Sequence, residues 1–206
     1  DITVSGNVID AEDTGTGILL GNALDDGHVD IEQGSINGTS TGIDVNTASP
    51  VPDLNITGVE VTQSNNNATT IRGDSATDVR VSDVTIDDAQ NTGISVLASD
   101  TSVEIDGASI NNTEYGIALE NGSATYQNVT NSEVTYAGTA GLYADTDTER
   151  YVHFNTFSDN ELAINIDVDT GNAHEFQFND IVDNVNGLDV VDQTGAPNPI
   201  NATYSY

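Results

Sequence analysis

The sequence has no cysteine, methionine, tryptophan or lysine, and its only basic residues besides histidine are three arginines. The absence of cysteine excludes disulfides. The absence of both sulfur-containing residues also argues against a copper site, because copper favours soft sulfur ligands and the three histidines are scattered. No apolar run approaches the roughly 18 residues that cross a membrane as a helix. The sequence therefore predicts no membrane insertion.

The shortage of basic residues contrasts with 34 Asp and Glu, which give a formal net charge of −31. Proteins bind a phosphate backbone through Lys and Arg, so nucleic acid and anionic membrane surfaces are excluded as partners. The acids are spread along the whole chain and apolar residues recur between them, which argues against a disordered acidic tail. Molar salt screens such repulsion, because the Debye length falls there to about 3 Å.

A chain with no lysine, many aspartates and small apolar residues resembles secreted proteins of extremely halophilic archaea. This resemblance in composition implies an extracellular or cell-surface protein that works in concentrated salt.

Three apolar positions recur in the same order eight times along the chain. The second position follows the first by five residues, and the third follows a glycine-like residue. The triplets are Val4, Ile9, Ile18; Ile31, Ile36, Ile43; Ile56, Val61, Ile71; Val81, Ile86, Ile94; Ile105, Ile110, Ile117; Val129, Val134, Leu142; Phe154, Phe157, Ile164; and Phe178, Ile181, Leu188. In the last two triplets the first gap shrinks to three residues.

The spacing of these triplets predicts the fold. Gly17 and Gly187 precede the first and last third positions and lie 170 residues and seven steps apart, so the mean repeat is about 24 residues. Alternating apolar and β-branched residues predict strands, and residues such as Asp83 and Asn131 supply turns that tolerate positive φ. Three strands per repeat in a constant order predict an all-β parallel β-helix, a solenoid of about eight coils over 1–191. The tail at 192–206 is predicted to be a cap or the start of a truncated coil.

The last two repeats read FNTFSDNELAINI and FNDIVDNVNGLDV. They resemble the PbH1 repeats of right-handed parallel β-helix proteins in the pectate-lyase-like superfamily, and most of all the NosD-type copper-binding and carbohydrate-binding repeats. The resemblance covers Ile2 to Val191 and implies right-handed, single-stranded coils. It also implies two chemistries for comparison: a uronate lyase with Arg or Lys beside calcium-binding acids, and a hydrolase with an Asp cluster.

Neither chemistry finds its residues in the sequence. A lyase needs a cation near several carboxylates, but Arg80 has one predicted acidic neighbour, Glu104. A hydrolase needs two or three carboxylates a few ångströms apart, whereas the acid pairs at 25–26 and 87–88 are sequence neighbours that point to opposite faces of a strand. We therefore predict no catalytic residue and a non-enzymatic protein.

Calcium is the one candidate cofactor. Asp145 with Asp147, and Asp167 with Asp169, lie two residues apart in oxygen-rich segments. Neither pair belongs to a complete calcium loop, so incidental pairs are the alternative interpretation.

The polar residues of the first strands are predicted to form an outward column. Its members are Thr3, Asp30, Asn55, Arg80, Glu104, Asn128, His153 and Gln177. Asp30, Arg80, Glu104 and His153 are candidates for contacts with an extended sugar chain, with a solvated face as the alternative. Arg80 and Glu104 are predicted to form an ion pair.

A second outward column is predicted on the third strands and shows no cluster of functional groups. Its members are Leu19, Asp44, Arg72, Ser95, Ala118, Tyr143, Asn165 and Asp189.

The sequon Asn-x-Ser/Thr is frequent and predicts N-glycosylation. It occurs at Asn37, Asn55, Asn67, Asn111, Asn121, Asn128 and Asn201. Asparagine also suits the turns of a β-helix, so a structural role is the competing interpretation.

Together these features predict an extracellular structural or adhesive element of a surface protein, filament or viral fibre. Its expected partners are like subunits or further coils of a longer chain, and glycans are candidates. The alternative is a carbohydrate-binding or polysaccharide-processing module, which predicts clustered acids or aromatics along one sheet. The tyrosines nominated for stacking on sugars are Tyr115, Tyr126, Tyr136, Tyr143 and Tyr151.

Overall fold

The computed structural model describes residues 1–12, 14–21, 27–46, 51–73, 76–98, 102–120, 126–145, 148–168, 174–192 and 200–205. Within these ranges the regular structure consists of β-strands, and every strand pair is parallel. Among the same residues there is no helix with the length and apolar character needed to cross a membrane.

The strands stack in three parallel sheets. The first sheet contains β1 (Ile2–Ser5), β4 (His28–Glu32), β7 (Val51–Thr57), β10 (Ala76–Ser82), β12 (Ser102–Asp106), β14 (Gln127–Thr130), β16 (Arg150–His153), β19 (His174–Val182) and β21 (Ile200–Ser205). The second contains β2 (Val8–Asp10), β5 (Ser35–Asn37), β8 (Glu60–Ser64), the first parts of β11 (Thr85–Ala98), β13 (Ser109–Glu120) and β15 (Glu133–Asp145), then β17 (Thr156–Ser158) and the end of β19. The third contains β3 (Thr16–Leu20), β6 (Thr41–Val45), β9 (Thr69–Gly73), the last parts of β11, β13 and β15, then β18 (Leu162–Val168) and β20 (Asn186–Asp192).

Each sequence repeat therefore forms one coil of a parallel β-helix, as predicted. The pairing stacks eight coils, and β21 adds a first-sheet strand above the eighth. Equivalent residues in successive coils, such as Val79 and Val103, pair in register about 24 residues apart. Such register gives every inward side chain a similar side chain above and below it, and this stacking forms the core.

Apolar side chains from the three sheets fill the interior. Ile56, Val61 and Ile94 are representative, and all are buried. Gly93 begins a third strand where the chain runs very close to the next coil: a Cβ there would lie 2.6 Å from the Gly116 carbonyl oxygen and 2.7 Å from Ile110 Cγ2. Glycine fits this position because any side chain would force the two coils apart.

Every coil from the second to the eighth turns two corners on residues with positive φ, five positions apart. The first corner joins the first and second sheets, at Gln33, Gly58, Asp83, Gly107, Asn131, Phe154 and Phe178. The second corner joins the second and third sheets, at Gly38, Gln63, Asp88, Asn112, Tyr136, Asp159 and Asp183. This conformation costs most L-residues roughly 1–2 kcal/mol and is tolerated best by Gly, Asn and Asp.

The structure corrects the core prediction for Phe154 and Phe178. Both lie at the first corner and are more than half exposed, at 57% and 51%. The core positions belong instead to Val152 and Phe176, which stack on Val129. The gap to the second position therefore stays at five residues, and the predicted shortening to three was wrong.

A second correction concerns the third coil. Thr69, and not Ile71, stacks on Ile43 and Ile94 as the third position. Ile71 stacks two residues further on, between Val45 and Val96. The outward residue equivalent to Asp44 is therefore Thr70, and Arg72 lies in the next outward column. The sequence placed this coil wrongly because a buried threonine, 2% exposed, occupies a position that is otherwise apolar.

Buried asparagines bind the backbone where the chain turns in the last coils. Asn155 Nδ2 donates to the Val129 carbonyl oxygen at 2.9 Å, and its Oδ1 accepts from the Ser132 N–H at 2.9 Å. Asn179 repeats this role one coil later, donating to the Val152 carbonyl oxygen at 2.7 Å. These side chains satisfy backbone groups that the turn removes from the sheets, where leaving them unpaired would be costly.

One interior column changes from apolar to polar along the rod. It runs through Val29, Leu54, Val79 and Val103 and continues as Gln127, Arg150 and His174, all buried. Arg150 Nε donates to Gln127 Oε1 at 2.9 Å, and the arginine side chain is 0% exposed. One of the three arginines of the chain thus lies in the core.

Candidate functional site

The four residues predicted to form one strip on the first sheet belong to two different columns. Asp30, Arg80 and Glu104 share a column, and Arg80 Nε lies 3.4 Å from Glu104 Oε2, which confirms the predicted ion pair. His153 does not belong to it. Its register partner is Thr130, one outward position further on, because the last two repeats were assigned with a shortened gap.

The strip column continues as Tyr151 and Glu175. His153 keeps contact with it through Glu175, whose Oε2 lies 3.8 Å from His153 Nε2. The first sheet therefore presents mixed acidic, amide and aromatic side chains, and Arg80, its described outward arginine, pairs with one carboxylate.

At the start of this strip, His28 lies between two carboxylates. Its Nε2 is 2.8 Å from Asp30 Oδ1, and its Nδ1 is 3.5 Å from Asp53 Oδ2. Asn55 Nδ2 also donates to Asp30 Oδ1, at 3.1 Å. The group forms a polar network between coils, and no nucleophile belongs to it.

The third sheet gathers acids that the sequence did not bring together. Glu120 pairs in register with Asp145, and Asp145 pairs with Asp167, so three carboxylates occupy one outward column in successive coils. The column combines one member of each predicted calcium pair with Glu120. Their predicted partners Asp147 and Asp169 lie outside the described residues.

Glu120, Asp145 and Asp167 do not converge on one point as the ligands of a metal ion would. Within the described ranges, no group of three or more His, Asp or Glu side chains lies close enough together to hold a metal ion. Calcium binding therefore stays a prediction.

The acid column changes the titration of the side chains beside it. Burial, and then the charge of Asp145, raises the pKa of Glu120. Burial also raises the pKa of Tyr143, followed by the charges of Asp145, Glu120 and Asp167 and by Tyr115. Both shifts favour the protonated form, because a further negative charge in this column is repelled and poorly hydrated.

Two tyrosines lie on one side of the column. The ring centroids of Tyr115 and Tyr143 lie 5.6 Å apart, with the ring planes tilted by 55°. Tyr143 stacks in register on Ala118 and Asn165, next to the acids. The alternative function predicted clustered acids or aromatics along one sheet, and the third sheet has both kinds of side chain.

Sequence reasoning missed this cluster for a specific reason. Glu120 and Asp145 end their strands, and Asp167 is the last residue but one of β18. All three lie one position beyond the apolar pair used to align the repeats. Extending the alignment by that one position would have placed them in one column.

The other nominated tyrosines are scattered. Tyr151 lies on the first sheet, Tyr126 just before β14, and Tyr136 at the second corner. A separate aromatic pair lies at the first corner, where Phe154 and Phe178 stack with centroids 5.2 Å apart and ring planes 8° apart. Sequence analysis had assigned both phenylalanines to the core.

Four sequon asparagines make structural hydrogen bonds, three of them to the preceding coil. Asn37 Nδ2 donates to Asp10 Oδ1 at 2.9 Å, and Asn111 Nδ2 donates to Asp87 Oδ1 at 2.6 Å. Asn55 binds Asp30 as described, and Asn67 Nδ2 donates to Thr70 Oγ1 at 3.0 Å. N-glycosylation would modify the nitrogen that makes each of these bonds. The bonds give each asparagine a structural role, and N-glycosylation at these four sites stays a prediction.

The remaining sequons are different. Asn128 is half-buried on the first sheet, in register with Glu104 and Tyr151. Asn121 lies outside the described residues, and of Asn201 only the backbone, in β21, is described. N-glycosylation at these sites stays a prediction.

Comparison with known families agrees with the stacked coils. A family model described as a right-handed beta helix region matches residues 1–157 and again residues 41–203. The chain is a right-handed β-helix protein. The predicted fold class is thereby confirmed, including the hand of the coils. Neither the curated proteins nor the solved structures contain a significant match to this β-helix protein.

Proposed function

We propose that this β-helix protein is an extracellular adhesive element that binds carbohydrate on the outer surface of its third sheet. The observation that carries the proposal is the Tyr115–Tyr143 pair beside the carboxylates of Glu120, Asp145 and Asp167. Aromatic rings pack against the apolar faces of sugars, and carboxylates accept hydrogen bonds from sugar hydroxyls.

The architecture and the composition support the adhesive part of the proposal. A stacked solenoid presents an extended, rigid surface, and the register keeps side chains in fixed columns. The halophile-like composition and the NosD-like repeats support a location at the cell surface, in a filament or in a viral fibre in concentrated salt. Like subunits or further coils of a longer chain are the proposed structural partners.

A glycan array in molar salt tests the proposal. The test variant is Tyr143→Asn, because asparagine occupies the same column one coil later, at Asn165. The matched control is Tyr151→Asn on the first sheet, where asparagine occupies the same column one coil earlier, at Asn128. We expect Tyr143→Asn to weaken binding by up to about tenfold, since an aromatic contact contributes roughly 0.5–1.5 kcal/mol. Tyr151→Asn should bind as the wild type. Equal losses in both variants, or no glycan retained by the wild type, would exclude the third sheet as the binding surface.

One observation favours a second candidate, a glycoside hydrolase. The raised pKa of Glu120 suits a proton donor, and Asp145 in the next coil would supply the ionised carboxylate. The array ligands give the test: reducing ends released by the wild type and not by Glu120→Gln support hydrolysis. Binding without release over days rejects it.

We also propose that the surface is N-glycosylated, with Asn128 as the described site best placed for it. Intact-mass measurement of native protein tests this. A native mass equal to that of the bare chain would contradict glycosylation at all seven sequons.

A further inference from the structure

A shallow depression opens at the second corner in the last coils. It has a volume of about 340 Å³ and is lined by Tyr136, Asp159, Glu161, Asp183 and Val185, among others. This volume lies at the lower end of the roughly 300–1,000 Å³ of small-molecule sites. The depression lies outside the third-sheet surface described above, although Tyr136 and Tyr143 are carried by the same strand, β15.

Tyr136 is an unusual residue for its position at the second corner. It has a φ of 55° and is 59% exposed, whereas the same corner in the coils on either side carries Asn112 and Asp159. Asparagine and aspartate adopt this backbone conformation more readily than tyrosine, and the exposed ring gains little from burial. Strained residues with no structural compensation cluster at ligand sites.

The lining of the depression also includes an exposed apolar side chain. Val185 is 69% exposed, more than any other large apolar side chain that the structure describes in the last three coils. The same corner in the third and fourth coils forms a depression of about 260 Å³ lined by Gln63, Ser64, Asn65, Asp88 and Gln90, with no aromatic or large apolar residue. The apolar surfaces are therefore particular to the depression at Tyr136.

The chemistry of the lining restricts the ligand. Asp159, Glu161 and Asp183 supply hydrogen-bond acceptors, and no lining residue is basic. At contact distance these carboxylates repel acidic sugars such as uronates. A second copy of the chain fits poorly, because its own surface would bring further carboxylates to the site.

We propose that the depression at Tyr136 binds a non-acidic saccharide, with the Tyr136 ring as the stacking surface and the surrounding carboxylates as acceptors for its hydroxyls. For the chemical class of ligand, this inference rests on the carbohydrate binding proposed above. It adds a second site and excludes uronates as its ligand.

The test uses oligosaccharides of two to six units in three sets: neutral sugars, amino sugars and galacturonates. Binding is measured by calorimetry in molar salt for the wild type, Tyr136→Asn, Phe154→Asn and Tyr143→Asn. Asparagine occupies the corner next to Tyr136 at Asn112, and the corner next to Phe154 at Asn131, so both corner variants keep a residue suited to positive φ. Phe154→Asn removes an equally exposed aromatic ring outside the depression.

We expect neutral or amino-sugar oligomers to bind, with affinity reduced about tenfold in Tyr136→Asn and unchanged within about twofold in Phe154→Asn. Circular dichroism confirms that each variant is folded. Tyr136→Asn with wild-type affinity, or a preference for galacturonates, would overturn the inference. So would a change of sedimentation coefficient in Tyr136→Asn without a change in sugar affinity, since it would mark the depression as a protein interface.

The variants separate the two proposals. If only Tyr143→Asn loses affinity, the third-sheet site stands and the depression is rejected. If only Tyr136→Asn loses affinity, the depression stands and the third-sheet site is rejected. A wild type that binds no oligosaccharide rejects both.

Discussion

Glu120 illustrates how stacking changes the chemistry of a single residue. In an isolated strand its carboxylate would be one exposed acid among many. In the β-helix, Asp145 lies directly beside it in the next coil, and partial burial withdraws water from it. Each coil of a solenoid places its outward residues about 4.8 Å from those of the next, so like charges in one column always interact.

This arrangement predicts a pH-dependent effect of Glu120→Gln. The pKa of Glu120 is raised in the folded state, so its contribution to stability is fully present below its ordinary value near 4.5 and is lost as pH rises through the raised pKa. We expect the variant to melt at a higher temperature than the wild type at pH 7. The difference should disappear below about pH 4.

Melting temperatures measured between pH 3.5 and 8 check this prediction. Glu133→Gln, at an exposed position of the same strand as Asp145, serves as the control. A Glu120→Gln profile parallel to that of the wild type would show that Asp145 and burial leave the carboxylate unaffected.

At the scale of the element, Arg150 belongs to the interior column of the first sheet. The earlier coils fill the same column with valine and leucine. Removing a buried guanidinium is strongly destabilising, because the polar side chains that it contacts stay buried after it is gone. Arg150 donates to Gln127, and His174 stacks above it.

We therefore expect Arg150→Ala to lower the free energy of unfolding by about 3–5 kcal/mol. The matched control is Arg80→Ala on the outer face of the same sheet, where loss of the exposed pair with Glu104 should cost at most about 1 kcal/mol. Denaturant unfolding in constant salt gives both values. Similar losses in the two variants would show that the interior position of Arg150 has no energetic consequence.

The strands could be predicted from the sequence, but the register of the last two coils could not. Alternating apolar residues identified the strands, because their period of two follows directly from strand geometry. Phe154 and Phe178 were misplaced because large aromatic residues are expected inside, and nothing in FNTF indicates that its first residue has positive φ. A constant gap of five would have given the correct register, since the two corners of each coil fix that gap.

The candidate site was less predictable than the fold. Tyr115 and Tyr143 were named individually, but their contact depends on the third-sheet register. Glu120 was not singled out, because a single acid at a strand end has no sequence signal of its own. Columns that cross coils become visible only when every strand has been aligned to within one residue.

At the scale of the whole molecule, the net charge of −31 is the dominant property. With the Debye length near 10 Å at 0.1 M salt, charges in neighbouring coils repel each other, whereas at 1 M it falls to about 3 Å. Stability should therefore depend strongly on salt.

We expect the melting temperature to fall by about 10 °C or more when NaCl is reduced from 2 M to 0.1 M, which corresponds to several kcal/mol for a chain of this size. Sucrose at matched water activity is the control, because it strengthens burial without screening charge. Equal melting temperatures in both salt concentrations would contradict the proposed adaptation to brine.

The parallel pairing of the coils has a mechanical consequence. The backbone hydrogen bonds between coils run along the axis of the rod, so every coil boundary carries tension along that axis and the weakest boundary opens first. A coil that opens releases about 24 residues, or about 80 Å of extended chain, in place of the roughly 4.8 Å it occupied. A surface tether built in this way would lengthen stepwise under load, and each step would limit the force that reaches the attached ligand.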